Sequence, residues 1–216
     1  MAERNLEAEI ASARESFKTK TESRQPLRAI AEAREKLLKL EREFCASRNE
    51  EYAESIDFPI QWQTGAPLPH LFSNDYKTFL IFMVNEDASQ SADKYATFEQ
   101  LGSEPIESMA LVEFCNCLSA KLGSPNDESV SGHRLFGKGL ESHVAQRVVN
   151  STWLKEMETT DSVHPYHNHQ RWLTKEHFIF SFHDSTFECV AESFKVELYR
   201  TSLHQLLQHV CSRFLT

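Results

Sequence analysis

The stretch His177–Phe194, HFIFSFHDSTFECVAESF, decides the fold. Two runs of period-2 alternation flank a polar break, which is the pattern of a β-hairpin. A two-residue turn at Asp184-Ser185 places His183 opposite Thr186, Phe182 opposite Phe187 and Phe180 opposite Cys189. In that register Phe178, Phe180, Phe182, Phe187, Cys189 and Ala191 share one apolar face. His177, Ile179, Ser181, His183, Thr186, Glu188, Val190 and Glu192 share the other, read as a solvated polar face. A one-residue slip would mix the two sets, so burial of the apolar face selects the pairing. That face needs a cover, either a C-terminal helix or a second layer of sheet.

Working outward, Lys195–Arg200 extends the second hairpin strand, and a helix follows from Ser202 with Leu203, Leu206, Leu207, Val210 and Phe214 on one stripe. Upstream, Val144–Trp153 reads as a strand, Leu154–Thr160 as a helical turn and Asp161–Trp172 as a loop. Residues 121–143 hold four of the six glycines, the mark of a structured loop with positive φ at several points. Met109–Leu118 is a strand with mixed faces that suit a central position, Cys115 and Cys117 falling on one side of it. Tyr76–Val84 is a strong strand, followed by a polar loop over Asn85–Asp93 and a short strand or turn over Lys94–Gln100. Phe58, Ile60 and Trp62 alternate as a strand would, Gln63–His70 is an irregular crossing loop, and Ser73-Asn74-Asp75 marks a turn.

Residues 1–50 read as helix, break, helix, with Lys18–Gln25 as the break and Pro26 opening the second helix. Leu6, Ile10, Ala13 and Phe17 line the first; Ile30, Ala33, Leu37, Leu40 and Phe44 follow a/d spacing in the second. Two readings stay open: a helical hairpin packed on its own body, or a short coiled coil over residues 26–48 that recruits a partner or a second copy. The fold class is therefore α+β, a mostly antiparallel sheet with a C-terminal helix, preceded by an N-terminal two-helix arm. The domains are 1–50 and 51–216.

Charge is unevenly spread. Residues 1–50 carry 11 Lys and Arg against 10 Asp and Glu, and residues 51–216 carry 12 against 22. An acidic body repels phosphate backbones, which disfavours nucleic acid as a partner. No run reaches the roughly 18 apolar residues of a membrane span, and MAERNLEAEI lacks a signal-peptide core, which places the protein in the cytoplasm. The cysteine count is odd, five, and no CxxC pair occurs, consistent with free thiols.

Three groups could carry chemistry. His183, Asp184 and Glu188 sit at the hairpin turn and on its polar face, where imidazole and carboxylates can transfer protons or bind a metal. Asp127 and Glu128 are adjacent carboxylates that gain meaning if His133 folds back towards them. His164, His167 and His169 form a three-imidazole tract that would hold a divalent metal if a further ligand joined it. No GxSxG, GxGxxG or P-loop spacing is present. The segments TGAPLPH, SPNDE, GHRLFGKGL, NSTWL and FHDSTFECVA resemble an uncharacterised bacterial protein family with no assigned reaction, over about residues 58–195. Two functions are expected: a binding module for a small molecule or protein partner, or a metal-assisted hydrolase built from the histidine tract and the polar hairpin face.

Overall fold

The computed structural model describes residues 5–85, 98–100 and 107–215. The polar loop expected after Asn85 and the start of the 94–100 segment lie outside them. Among these residues two helices, α1 (Leu6–Glu22) and α2 (Leu27–Ser47), precede ten strands: β1 (Tyr52–Ser55), β2 (His70–Ser73), β3 (Thr78–Met83), β4 (Phe98–Gln100), β5 (Glu107–Cys115), β6 (Ser119–Gly123), β7 (Ala145–Val149), β8 (Glu176–Ser181), β9 (Thr186–Ala191) and β10 (Ser193–Thr201). Helices α3 (Thr152–Asp161) and α4 (His169–Trp172) lie between β7 and β8, and α5 (Leu203–Phe214) closes the chain. The fold is α+β, with the expected two-helix arm and C-terminal helix.

The strands form two five-stranded sheets, in the orders β1-β7-β8-β9-β6 and β2-β3-β5-β10-β4. Every described pairing is antiparallel except β4 with β10. The sheets face one another across Phe178, Phe180, Phe187, Cys189 and Ala191 on one side and Leu80, Phe82, Val112, Phe114 and Leu198 on the other. Phe114 stands 5.0–5.9 Å from the rings of Phe178, Phe180 and Phe187. The cover of the hairpin's apolar face is thus a second sheet. Helix α5 lies on the far side of that sheet, with Leu206 and Val210 packed against Phe79, Ile81, Met109 and Leu111.

The hairpin itself differs from its predicted register. Ser181 pairs with Thr186 and Phe180 with Phe187, and a four-residue loop is closed by Phe182 N–H donating to Ser185 O at 2.8 Å. A two-residue hairpin turn needs left-handed residues such as Asn-Gly, and none of residues 182–185 takes positive φ. The shift is by two residues, so the two faces keep their members. The second face is not solvated, however: β9 is buried throughout, and Leu135 and Leu140 of the preceding loop cover Ile179 beside Ala53 and Val148.

Two bends carry the chain between sheets, and they lie side by side. At Asn116–Leu118 the chain leaves β5 for β6, and at Glu192 it leaves β9 for β10, so the expected extension of the hairpin crosses into the other sheet. Glu192 N–H donates to Cys115 O (3.0 Å) and Leu118 N–H to Val190 O (2.8 Å). Lys175 Nζ pins both bends, reaching Asn116 O at 2.9 Å and Glu192 Oε1 at 3.0 Å. Cys115 and Cys117 therefore do not share one strand, because Asn116 turns the chain at φ 49°.

Elsewhere, Phe58, Ile60 and Trp62 form no strand beyond a single bridge from Trp62 to Val84. Their side chains pack into the core between the sheets, Trp62 stacking on Phe180 at 5.6 Å. β2 runs from the end of the expected crossing loop, His70, to the first residue of the expected turn, Ser73. In the Gly-rich loop Gly137, Gly139 and His143 take positive φ, while Gly123 and Gly132 do not; Asn150, just beyond it, is also left-handed. Lys18–Glu22 continue α1, so the break in the arm is only Ser23–Pro26. There α1 fills the α2 stripe, with Ile10, Ala13 and Phe17 against Leu37 and Leu40.

Candidate functional site

The covered face of the hairpin holds a charged network built on Glu188 of β9. Arg134 donates to Glu188 Oε2 from Nη2 (2.7 Å), Lys121 Nζ approaches Oε1 (2.8 Å), and His133 Nε2 lies 3.6 Å from Oε1. His177 of β8 meets Oε2 from Nε2 at 2.9 Å. Arg134 Nε also meets Glu51 (3.2 Å), whose carboxylate accepts from Thr152 N–H (3.0 Å) and hydroxyl (2.7 Å) at the start of α3. Burial alone would raise the Glu188 pKa, but the bonds from His133, His177, Arg134 and Lys121 outweigh it and hold the carboxyl well below the usual range. Burial lowers the His177 pKa and keeps its ring neutral despite Glu188.

That fixes the direction of every proton in the chain. The carboxylate of Glu188 can only accept, so His177 Nε2 carries the hydrogen and Nδ1 accepts from Ser151 Oγ at 2.8 Å. Ser151 Oγ in turn accepts from Leu154 N–H (3.0 Å) as the N-cap of α3. A serine, an imidazole and a carboxylate in line contain the parts of a nucleophilic relay. Here Ser151, His177 and Glu188 are 4%, 1% and 4% exposed, so no substrate reaches the hydroxyl. The network holds α3 in place.

The predicted residues separate into pairs. Glu188 joins His133, while Asp127 joins His183, with Oδ2 accepting from Nδ1 at 3.0 Å. His133 therefore turns away from Asp127 and Glu128, and His143 takes its place, Nε2 lying 3.7 Å from Asp127. The Asp127 hydrogen bond raises the His183 pKa. Asp127 Oδ1 and His143 Nδ1 have no hydrogen-bond partner among the described residues, and His143 sits at φ 61°. Glu128 and Asp184 face solvent. His167 and His169 bond to acids of α3, His167 to Asp161 at 3.1 Å and His169 to Glu158, while His164 packs near Tyr166. Among the described residues no three His, Cys, Asp or Glu side chains converge to hold a metal ion.

What the network positions is a cleft. Trp153, one residue into α3, stands edge-on to His177 (5.0 Å) and beneath the Lys121 ammonium (4.6 Å). With Met157, Leu118, Val163, Pro165 and Trp172 it lines a cavity of about 760 Å³, rimmed by Glu156, Asp161 and His164. Trp172 donates from Nε1 to Asp161 Oδ2 at 3.2 Å. Leu118, Asp161 and Trp172 also line a second cavity of about 620 Å³ with Cys117, Asp75, Arg171 and Lys175, so the two halves share one wall at the paired bends. Val163, Tyr166 and Leu173, in the same loop, are exposed. Sequence reasoning missed Trp153, Trp172 and Arg134. The available signal was two of the three tryptophans falling within twenty residues of a turn-rich loop.

No protein-family model matches the chain, and comparison with curated proteins and with solved structures finds no match either.

Proposed function

We propose that the protein is a binding module whose site is the α3 cleft, and that it takes an apolar or aromatic ligand bearing a basic group. The observation that carries this is the pairing of Trp153 and Trp172 with Glu156 and Asp161 in one cavity. Apolar walls with a few convergent polar groups are the general form of a small-ligand site. An ammonium group there meets indole-lined walls and the carboxylates of Glu156 and Asp161, and a cation near Trp is favoured where water is thinned. The acidic body adds a field of the same sign preference. A protein segment with an aromatic anchor and flanking Lys or Arg would use the same chemistry. The cytoplasmic expectation is part of this reading, and the odd, unclustered cysteines are consistent with it. The metal-assisted hydrolase has less support, since the histidine tract engages the acids of α3 and the hairpin face is committed to Arg134.

The test is a tryptophan-fluorescence titration with 2-phenylethylammonium and with 3-phenylpropionate, its anionic counterpart. The amine saturates the signal below about 10 mM, on the scale of a weak fragment, and the carboxylate does not. Trp172→Ala removes the response. Equal binding of the two probes, or no saturation with either, overturns the reading.

A further inference from the structure

Ser151 makes the hydrogen bonds on which one wall of the cleft depends. Its hydroxyl donates to His177 Nδ1 (2.8 Å) and accepts from Leu154 N–H (3.0 Å), so one oxygen ties β8 to the first turn of α3. Two residues on, Trp153 packs edge-on against the same imidazole at 5.0 Å and lines the cavity. The strand behind is fixed more firmly than the helix. β9, which carries Glu188, is buried throughout, whereas α3 has no buried side chain. If one member of the network is to move, it is α3.

We propose that His177 is a proton-operated latch: a proton added at Nδ1 releases the first turn of α3 and opens the Trp153 wall of the cleft. Nε2 already carries a hydrogen for Glu188, at 2.9 Å, so Nδ1 is the ring atom left to take one. Once Nδ1 becomes a donor, the Ser151 hydroxyl loses its acceptor, and the described contacts offer it no other. Ser151 is only 4% exposed, and a buried hydroxyl left unsatisfied is costly. Turning Ser151 towards water relieves that cost and gives up the Leu154 cap. Control of ligand binding by this step rests on the α3 cleft being the site.

The groups facing His177 leave little room for a further charge. β9 presents Glu188, and around that carboxylate stand Lys121 of β6 (2.8 Å), Arg134 (2.7 Å) and His133 (3.6 Å) of the Gly-rich loop. α3 presents the Ser151 hydroxyl and the Trp153 ring, and Arg147 of β7 is taken up by Glu54 and Glu176. A charged His177 joins Lys121 and Arg134 as a third cation on Glu188, with Glu51 as the network's second carboxylate. Burial already outweighs Glu188 and lowers the His177 pKa, the sense expected of a latch that is shut when neutral. Glu51 still holds Thr152 N–H (3.0 Å), so the first turn loosens while the helix stays attached. By reciprocity, a ligand that prefers the closed wall makes the proton harder to add.

Fluorine NMR of the full chain labelled with 5-fluorotryptophan tests this, the Trp153 resonance being assigned with Trp153→Phe. Between about pH 8 and about pH 5, Trp153 should follow a one-proton curve with its midpoint below the usual imidazole value of about 6.5. Its solvent-isotope shift, which reads exposure to water, should rise along the same curve while circular dichroism shows the body still folded. His177→Gln should abolish the curve. Ser151→Ala removes the latch without touching the imidazole, so Trp153 should be exposed already at about pH 8. His164→Ala, on the cleft rim, should titrate as wild type. A Trp153 that ignores pH, a curve that persists in His177→Gln, or a shift without gain in exposure overturns the proposal. So does a Trp153 that stays shielded in Ser151→Ala. Saturating 2-phenylethylammonium should lower the midpoint by about one pH unit for each tenfold preference for the closed form. An amine that binds and leaves the midpoint unmoved overturns the control of the site. An amine that fails to bind at any pH counts against the cleft reading alone, because the ligand-free curve decides the latch.

Discussion

His177 donates from Nε2 to Glu188 Oε2 across 2.9 Å, in a place neither residue shares with solvent. The two sit diagonally on neighbouring strands, since Ile179 is the residue directly opposite Glu188. From this pair the network runs outward through Arg134 to Glu51 and through Ser151 to the first turn of α3. A buried carboxylate answered by four donors is what lets a loop, two strands and a helix be fixed by one side chain.

Removing that carboxylate should therefore be costly. Glu188→Ala leaves Arg134 half-paired and His177 without its acceptor, and breaking one partner of a buried ion pair costs about 3–5 kcal/mol. Glu32→Ala, exposed on α2 and paired with Arg28, should stay within about 0.5 kcal/mol. Urea denaturation of the two variants measures the difference. Similar midpoints would show that Glu188 carries no such weight.

The pH dependence has two arms of opposite sign. His177 has a lowered folded pKa, so the unfolded chain takes up a proton near 6.5 that the folded chain refuses, and stability falls as pH drops below that value. Glu188, also lowered, adds a further loss as pH falls below 4.5. His183 has a raised folded pKa, so its contribution is complete below 6.5 and is lost as pH rises through the raised value. His177→Gln, which keeps a donor for Glu188 and an acceptor for Ser151, should flatten the slope between about pH 6.5 and 5. His183→Asn should flatten the opposite slope above it. Denaturant midpoints across pH 5–8 check both, and an unchanged acid slope in His177→Gln would reject the assignment.

The limits of sequence reading fall at identifiable residues. Period-2 alternation in 177–194 assigned the paired residues of β8 and β9 to their correct faces, because a two-residue shift of register leaves faces intact. It could not set the register, since that depends on whether Asp184-Ser185 can take a left-handed turn. Nor could it tell a solvated face from a covered one: His177, Ser181 and Glu188 read as polar and exposed, and the cover, Leu135 and Arg134, comes from a Gly-rich loop with no periodic pattern. The α5 stripe and both arm helices were legible because helical periodicity over three or more turns is strongly marked. The cleft was not, because Leu118, Trp153 and Trp172 are distant in sequence and meet only where two strands bend between sheets.

Both faces of the hairpin should be sensitive to truncation. Phe180→Ala opens a hole among Trp62, Phe58 and Phe114, and Ile179→Ala does so beneath Leu135. Losses of about 3–5 and 2–5 kcal/mol are the usual costs of such cavities. A face open to water would make Ile179→Ala nearly neutral, so the second variant is the informative one. Thermal or urea unfolding reads both.

The arm should prove separable. Its apolar residues cluster among themselves, and its attachment to the body is largely polar: Arg42 reaches Ala53 O (2.9 Å), Gly139 O (3.1 Å) and Glu141 (2.7 Å), and Glu41 accepts from Gly139 N–H (3.3 Å). Gly139 is the keystone of that seam. It sits at φ 81°, and a Cβ there would lie 2.4 Å from Ala53 O and 2.8 Å from Arg42 Cγ. Gly139→Ala should therefore cost more than about 1 kcal/mol, through backbone strain and through displacement of Arg42. Residues 51–216 alone should still unfold in one cooperative transition, at a lower temperature than the full chain, because neither facing sheet draws on α1 or α2 for its core. In the shortened chain Gly139→Ala should lose the part of its penalty that comes from Arg42. Loss of the cooperative transition on removing residues 1–50 would place the arm within the folding unit, and an equal Gly139→Ala penalty in both chains would place the strain in the loop rather than the seam.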